Sequence, residues 1–257
     1  MRLRLTIAYT GTRYCGWQIQ EKPSPPPTVQ GVLEAAFARV LQSKVRLHGA
    51  GRTDAGVHAE AQVAHLDIPE KRRHLPWQRI INNSLPEDIA LMRVEEAAAN
   101  FHARFDACGK IYTYQIWREA HCVPPRLAPF VWACPYTLDP EKLQQALPHF
   151  VGEHDFASLQ NAGTDLESTV RTLHSFDMAW DNASPLVTLR VQGSGFLKQM
   201  VRNMVGMLAA AGSGKIPVEF IPQALALRDR SRLPFIVTAP AQGLTLTRVL
   251  YSAKKDV

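Results

Sequence analysis

The chain has 257 residues, of which 46% are hydrophobic and 20% are charged. This length and composition predict one large domain or two of ordinary size with a buried core, and they argue against a disordered chain. The net charge of +6 favours a phosphate-rich partner, because lysine and arginine release counterions when they bind a polyanion. Many basic proteins bind no nucleic acid, so the charge alone decides nothing.

The cysteines and the N-terminal residues bear on the cellular compartment. None of the four cysteines forms a C-x-x-C pair, so we interpret them as reduced thiols of a cytoplasmic protein and expect no metal or disulfide framework. The N-terminal residues lead directly into a strand-like pattern without the apolar run of a targeting signal, and no stretch is long enough to span a bilayer. The nine histidines show no H-E-x-x-H spacing, which argues against a zinc hydrolase.

The first half of the chain is predicted to begin with a strand, because Leu3 to Tyr9 alternates apolar and polar residues. Pro23 to Pro27 cannot be helical and predicts a stiff loop, and a helix follows from Thr28 as its N-cap. The next elements are strands at 45–47 and 63–66, a helix at 77–85 and a strand at 89–94. This order is the split β-α-β pattern of an antiparallel sheet under two helices.

The second half is predicted to repeat the same types of element, although no sequence repeat is visible. Phe101 to Ala107 is interpreted as the hinge, which divides the chain into residues 1–104 and 105–257. The predicted strands are 111–117, 172–180, 186–192 and 244–250, and the predicted helices are 143–151, 195–211 and 217–227. The helix at 195–211 is expected to be the longest.

The segment Gly51-Arg52-Thr53-Asp54-Ala55-Gly56-Val57-His58-Ala59 holds an acid, a permanent cation and two glycines within six consecutive residues. Glycine permits positive φ angles, so the chain can reverse sharply and present Arg52 and Asp54 at a tip. A plain hairpin turn would explain the same residues, because Asp and Gly are the commonest residues in turns.

This string resembles the signature loop of the tRNA pseudouridine synthase A family, in which the aspartate is the essential catalytic residue. Other motifs of the family follow in the same order over nearly the whole chain, and they lie at Tyr9–Gln18, Thr28–Gly31, Phe101–Ala107, Tyr112, Arg202 and Gly243-Leu244. Thr10 stands where the family usually has Asp, so we carry no role to that position.

The resemblance implies an isomerase that converts uridine to pseudouridine in the anticodon arm of tRNA and that works as a homodimer. The reaction is redox-neutral, so neither a metal nor a nucleotide cofactor is expected. The implied fold is of the α+β class, with two ferredoxin-like halves whose antiparallel sheets lie side by side. Helices are expected on one side of the sheets and the catalytic cleft on the other.

Isomerisation breaks the glycosidic bond, and a carboxylate beside the ribose can act as nucleophile or as base. We expect this carboxylate to be Asp54, in its ionised form, which a buried acid keeps only beside a cation or hydrogen-bond donors. Arg202, at the edge of an apolar helical stripe, is the expected cation and could pair with Asp54 in a planar fork. The pattern alone favours a solvent-facing arginine, and the resemblance to the family's third motif favours the pair. Lys198 is the weaker alternative.

Tyr112 and Tyr114 lie on one face of a predicted strand. Packing of both rings in the core would explain this pattern without any functional role. The resemblance assigns Tyr112 to stacking on the target base and leaves Tyr114 in the core. Arg52 is expected to fill the gap left by the flipped nucleotide while it bonds phosphate. Leu244 resembles the family's apolar residue on the other side of the base, although a core leucine at a strand start explains it nearly as well. Arg104 is an expected RNA contact.

Two other functional classes compete with this interpretation. A non-catalytic RNA-binding module could use the paired sheets as a stacking platform, but an acid at the tip of an RNA-facing loop would repel phosphate. A glycosidase or nucleoside hydrolase needs a second carboxylate, which no motif supplies beside Asp54. Gly212-Ser213-Gly214-Lys215 lacks the residues of a phosphate-binding loop and predicts a helix C-cap. His58 is expected to be a structural loop residue.

Overall fold

In the computed structural model, the described residues are 1–21, 26–161 and 167–252. Residues 23–25 of the predicted proline-rich loop lie outside them. The described chain is a mixture of strands and helices, which confirms the predicted α+β class. It forms two compact units: a first unit of Met1–Cys108 with the chain from Thr245 onward, and a second unit of Gly109–Leu244. The division at residues 104 and 105 stays a prediction.

The sheet of the first unit has the strand order β4-β1-β3-β10, and the short β2 also pairs with β3. Its strands are β1 (Arg2–Tyr9), β2 (His48–Gly49), β3 (His58–Asp67), β4 (Ile89–Ala97) and β10 (Leu244–Tyr251), and its helices are α1 (Val29–Leu41) and α2 (Trp77–Asn82). β1 lies antiparallel to both β3 and β4. β10 lies parallel to β3, with Thr245 opposite His58. The predicted strand at 45–47 is wrong, because the pairing begins at His48.

The alternation in β1 produces a sheet with one apolar face. Leu3, Leu5, Ile7 and Tyr9 are buried, and the residues that alternate with them are all half-buried. Thr28 caps α1 as predicted, because its hydroxyl accepts a hydrogen bond of 3.2 Å from the amide of Gly31. The buried faces of β1 and α1 both belong to the core of this unit.

The sheet of the second unit has the strand order β5-β9-β8-β7, and each of these strands lies antiparallel to its neighbours. The short β6 pairs with β5 in the parallel direction. The strands are β5 (Ala107–Trp117), β6 (Trp132–Ala133), β7 (Gly152–Asp155), β8 (Val170–Trp180) and β9 (Leu186–Gly193). The helices are α3 (Pro140–Ala146), α4 (Met200–Gly212) and α5 (Phe220–Ala226). The antiparallel pair predicted at 172–180 and 186–192 is confirmed as β8 and β9.

The predicted helix boundaries differ most from those of the structure in two helices of the second unit. The helix expected from residue 195 begins at Met200, because Gln199 has a φ of 59° in the left-handed region, which no right-handed helix contains. With 13 residues it equals α1 in length, so these two are the longest of the described helices. The helix expected at 143–151 begins earlier, where Asp139 accepts hydrogen bonds from two amides, and it ends before Pro148, which has no amide hydrogen to donate.

α4 is the most fully buried of the described helices in the second unit. Every residue of this helix is buried except Arg202, so the expected apolar stripe extends around nearly the whole helix. Beyond the helix, Gly214 has a φ of 74°, which confirms the predicted helix C-cap. In the part of the chain that the structure describes, no helix has the length and apolar character needed to cross a membrane.

Candidate active site

The Asp54 segment is a tight turn in the first unit. The amide of Val57 donates to the carbonyl of Asp54 at 3.2 Å, and Gly56 has a φ of 79°. The second glycine therefore supplies the positive φ that the sequence predicts, whereas Gly51 does not adopt it. Asp54 is half-buried and Arg52 is exposed. A half-buried carboxylate at such a turn can reach a substrate that approaches from solvent.

A second segment, residues 11–17, forms backbone hydrogen bonds with the residues on both sides of Asp54. The amide of Trp17 donates to the carbonyl of Thr53 at 3.1 Å, and the amide of Gly56 donates to the carbonyl of Tyr14 at 3.2 Å. Gly16 permits this approach, because its φ is 84° and a Cβ there would lie 2.4 Å from the carbonyl oxygen of Thr53. The backbone on both sides of Asp54 is therefore fixed by hydrogen bonds.

The residues beside Asp54 are also fixed by side chains. The hydroxyl groups of Thr53 and Tyr9 share a buried hydrogen bond of 2.8 Å. Burial raises the pKa of Tyr9 to about 12, so its hydroxyl keeps its proton at neutral pH. The side-chain amide of Gln62 donates to the carbonyl of Gly51 at 2.9 Å. These contacts hold the residues that precede Asp54 in place.

Sequence reasoning missed these supporting residues as a group. The buried end of the β1 alternation points to Tyr9, and the motif at Tyr9–Gln18 contains Gly16, but neither signal shows that both contact the Asp54 turn. His58 has the expected structural role, because its Nδ1 accepts a hydrogen bond of 3.0 Å from the amide of Gly11 and its side chain is buried. It is the first residue of β3, however, and not a loop residue.

Tyr112 and Tyr114 lie on β5 in the second unit, opposite Val191 and Leu189 of β9. Tyr114 is in the core as predicted, with 1% of its surface exposed, and its hydroxyl donates to the carbonyl of Pro240 at 2.8 Å. Burial raises the pKa of Tyr114, so it remains a hydrogen-bond donor. Tyr112 is also buried, and its ring meets Phe196 edge-on at a centroid distance of 5.0 Å.

Arg202 is joined to the segment before β10 by two hydrogen bonds. Its Nε donates to the carbonyl of Ala239 at 2.7 Å, and the amide of Ala239 donates to the carbonyl of Arg202 at 3.1 Å. Lys198, the weaker alternative, is exposed and precedes the helix. Leu244 is buried at the first position of β10.

The next residue of α4, Asn203, forms buried hydrogen bonds with two other segments of the second unit. Its side-chain nitrogen donates to the carbonyl of Leu159 at 2.8 Å and to the side-chain oxygen of Asn161 at 3.0 Å. Its side-chain oxygen accepts from the hydroxyl of Thr238 at 2.7 Å. Asn203 has no exposed surface, so these bonds satisfy an amide that would otherwise be costly to bury. Sequence reasoning missed this residue, and only its position beside Arg202 pointed to it.

The predicted site residues divide between the units. Arg52, Asp54 and Arg104 lie in the first unit. Tyr112, Arg202 and Leu244 lie in the second, and the pairing of Arg202 with Asp54 stays a prediction. Over residues 1–21, 26–161 and 167–252, no group of three or more His, Cys, Asp or Glu residues could hold a metal ion.

Comparison with known proteins gives one consistent family. A family model described as tRNA pseudouridine synthase matches residues 5–106 and 146–252, which include Asp54, Arg202 and Leu244 but not Tyr112. The tRNA pseudouridine synthase A of Nitratidesulfovibrio vulgaris (strain Miyazaki F) is 50% identical over 278 aligned positions, which cover 97% of this chain and 99% of the relative. That of Solidesulfovibrio magneticus is 49% identical and covers 98% of this chain and 92% of the relative. A crystal structure of a Cbf5-Nop10-Gar1 complex is a distant likeness, with 11% identity, a TM-score of 0.41, and coverage of 95% of this chain and 48% of that one.

Proposed function

This chain belongs to the tRNA pseudouridine synthase family, and from that premise we propose that it acts on uridines of the anticodon arm with Asp54 as its essential carboxylate. It isomerises uridine to pseudouridine in tRNA, as its relatives' names state. The observation that carries the role of Asp54 is the nine-residue loop, whose single acid lies half-buried on a turn fixed from both sides.

The chemistry explains why one carboxylate suffices. Asp54 either attacks the ribose carbon that holds the base, forming an ester that the later bond to carbon 5 displaces, or removes a ribose proton that it later returns. Either route breaks the bond between the ribose carbon and the nitrogen of the base. The base then turns and forms a bond to the ribose through carbon 5. The proton on carbon 5 leaves, and the released nitrogen is protonated, so atoms and electrons balance without an oxidant or a second substrate.

Three residues of the second unit would assist this step. We propose that Arg202 compensates the charge of Asp54, and its Nε bond to Ala239 supports this by holding the guanidinium in one orientation. Tyr112 would stack on the target base, and its contact with Phe196 supports a fixed ring plane. Leu244 would contact the opposite side of the base.

Arg52 and Arg104 would contact the RNA. Both side chains are exposed, as a phosphate contact requires. Arg52 stands two residues from Asp54, so it could fill the stack that the target nucleotide leaves. We further propose that the protein is cytoplasmic and that it forms a homodimer. Sedimentation of the purified chain would test the dimer.

Release of tritium from carbon-5-labelled uridine in tRNA tests this function. The wild-type chain should release tritium, and Asp54→Asn should not, because an amide is neither a nucleophile nor a base of the required strength. Glu60→Gln is a matched control, since Glu60 is an exposed acid on β3 a few residues away. Activity of Asp54→Asn within about tenfold of wild type, a barrier change of only ~1.4 kcal/mol, would contradict the role of Asp54.

The same assay separates the competing classes. A non-catalytic RNA-binding module would bind tRNA and release no tritium. A glycosidase or nucleoside hydrolase would release free uracil, which chromatography of the reaction mixture detects.

A further inference from the structure

Phe105 is the most exposed of the large hydrophobic side chains that the structure describes, with 75% of its surface accessible. Its backbone is nevertheless held firmly. The amides of Arg104 and Phe105 donate to the His102 ring at 3.1 and 3.2 Å, and the amide of Asp106 donates to the carbonyl of His102 at 3.0 Å. The exposure of this ring is therefore a property of a tight, hydrogen-bonded turn.

Four rings form a continuous group around this turn, which we call the ring cluster: His48, His65, His102 and Phe105. Phe105 stacks on His102 at a centroid distance of 4.2 Å with 29° between the planes. His102 meets the buried His65 edge-on at 4.6 Å, and His65 stacks on the exposed His48 at 5.0 Å. The cluster thus presents an aromatic ring to solvent at both ends.

The turn is also hydrogen-bonded to side chains of β3 and β10. The amide of Ala103 donates to the ring of His65 at 3.1 Å, and the hydroxyl of Tyr251 donates to the carbonyl of Ala103 at 2.6 Å. Burial, followed by the positive charge of Arg2, lowers the pKa of His65 to about 4. The centre of the cluster is therefore neutral at pH 7 and does not add to the charge around it.

Cations surround the ring cluster. The Arg104 guanidinium lies 5.8 Å from the centroid of the Phe105 ring. A cavity of about 250 Å³ adjoins the two stacked histidines and is lined by Arg2, Lys44 and Arg46.

Three acids are also present near the ring cluster. Asp67 pairs with Arg2 at 2.8 Å, Glu34 lies 4.0 Å from Arg46, and Asp106 accepts the amide of His102 at 2.8 Å. The acids thus face particular arginines or a backbone amide, while Lys44 and Arg104 add positive charge at the two exposed ends of the cluster.

We propose that the ring cluster is a docking surface for an unpaired stretch of the substrate RNA, with one base stacked on Phe105 and phosphates near Arg104, Lys44 and Arg46. Unpaired bases expose π-faces that stack on aromatic rings irrespective of sequence, and cations between such rings follow the phosphate backbone. A second copy of the chain would also cover an exposed phenylalanine, but the basic border favours a polyanion. The inference rests on the proposed function only for the identity of the RNA.

Equilibrium binding of an unmodified tRNA transcript tests the docking surface, and all chains carry Asp54→Asn so that the RNA stays unchanged. Phe105→Ala should weaken binding by about 5- to 100-fold, the range expected for loss of one stacked base. Phe105→Tyr should bind within about twofold of its parent, because it keeps the aromatic face. Met92→Ala is the matched control, since Met92 is an exposed apolar residue of the same unit, with 56% of its surface accessible.

The salt dependence of binding separates stacking from charge. Phe105→Ala should keep the parent's slope of log affinity against log salt. Arg104→Met should make that slope shallower, by the amount expected for the loss of one phosphate contact. Unchanged affinity of Phe105→Ala would refute the docking surface. Weaker binding accompanied by loss of self-association in sedimentation would also refute it, and would assign the ring to a second copy. Neither result bears on tritium release by the wild-type chain, whose absence would contradict the proposed function instead.

Discussion

Replacing Gly206 by alanine should disturb the segment that holds Arg202. Gly206 lies inside α4, and a Cβ there would be 1.7 Å from the carbonyl oxygen of Val237 and 2.9 Å from its carbon. An ordinary contact begins at 3.4 Å, so the backbone at Val237 must retreat by roughly 1.7 Å, the difference between the two distances. Val237 precedes the two residues that bond Asn203 and Arg202.

The magnitude follows from three contributions. Overpacking of a tight contact costs about 1–3 kcal/mol. The retreat also weakens the hydrogen bonds of Thr238 to Asn203 and of Arg202 to Ala239, each 2.7 Å long, and each bond contributes about 1 kcal/mol. Alanine in place of glycine stabilises a helix by about 1 kcal/mol. The net expectation is a destabilisation of about 2–4 kcal/mol.

Denaturant unfolding measures this loss, and turnover on tRNA measures its effect on function. Gly31→Ala is the matched control, because this helical glycine of α1 would place its Cβ 3.1 Å from the Thr28 hydroxyl and 3.6 Å from the Ile19 side chain. Those atoms can shift, so the control should change stability by less than about 1 kcal/mol. Gly206→Ala should also lower kcat if the bond to Ala239 orients Arg202. A Gly206→Ala chain as stable and as active as wild type would refute the reasoning.

Three further predictions concern charge and RNA. Arg202→Met should raise the pKa of Asp54 and reduce activity most at low pH, and a pH–rate profile equal to that of wild type would show that the pair does not form. Arg52→Ala should slow turnover more on a folded anticodon arm than on an RNA with an unstacked target uridine, whereas Asp54→Asn should be inactive on both; equal Arg52→Ala defects would exclude gap filling. The pKa of His65 falls from 6.5 to about 4 on folding, so between these pH values the unfolded chain binds a proton that the folded chain does not. The free energy of unfolding should therefore fall as the pH drops through this window, by at most about 3 kcal/mol, and His65→Asn should lose that part of the slope in urea titrations.

The sequence determined the features that depend on neighbouring residues. The β1 alternation predicts one buried face, and the Thr28 hydroxyl predicts the start of α1, because a strand's periodicity and a helix cap both act within a few residues. The turn at Asp54 follows from the positive φ that Gly56 permits. The functional prediction came from the resemblance of the segment around Asp54 to the tRNA pseudouridine synthase A loop, because a plain hairpin turn explains the same residues equally well.

Tertiary structure alone decided which distant residues support these local features. Nothing near Gly206 in the sequence indicates that Val237 approaches it, and Asn203 resembles any polar residue of a helix until its partners at 159, 161 and 238 are known. The left-handed Gln199 that delays α4 is likewise invisible in the apolar pattern. These features depend on contacts between residues far apart in the chain, and hydrophobic periodicity reports only which face of an element is buried, not which other element covers it.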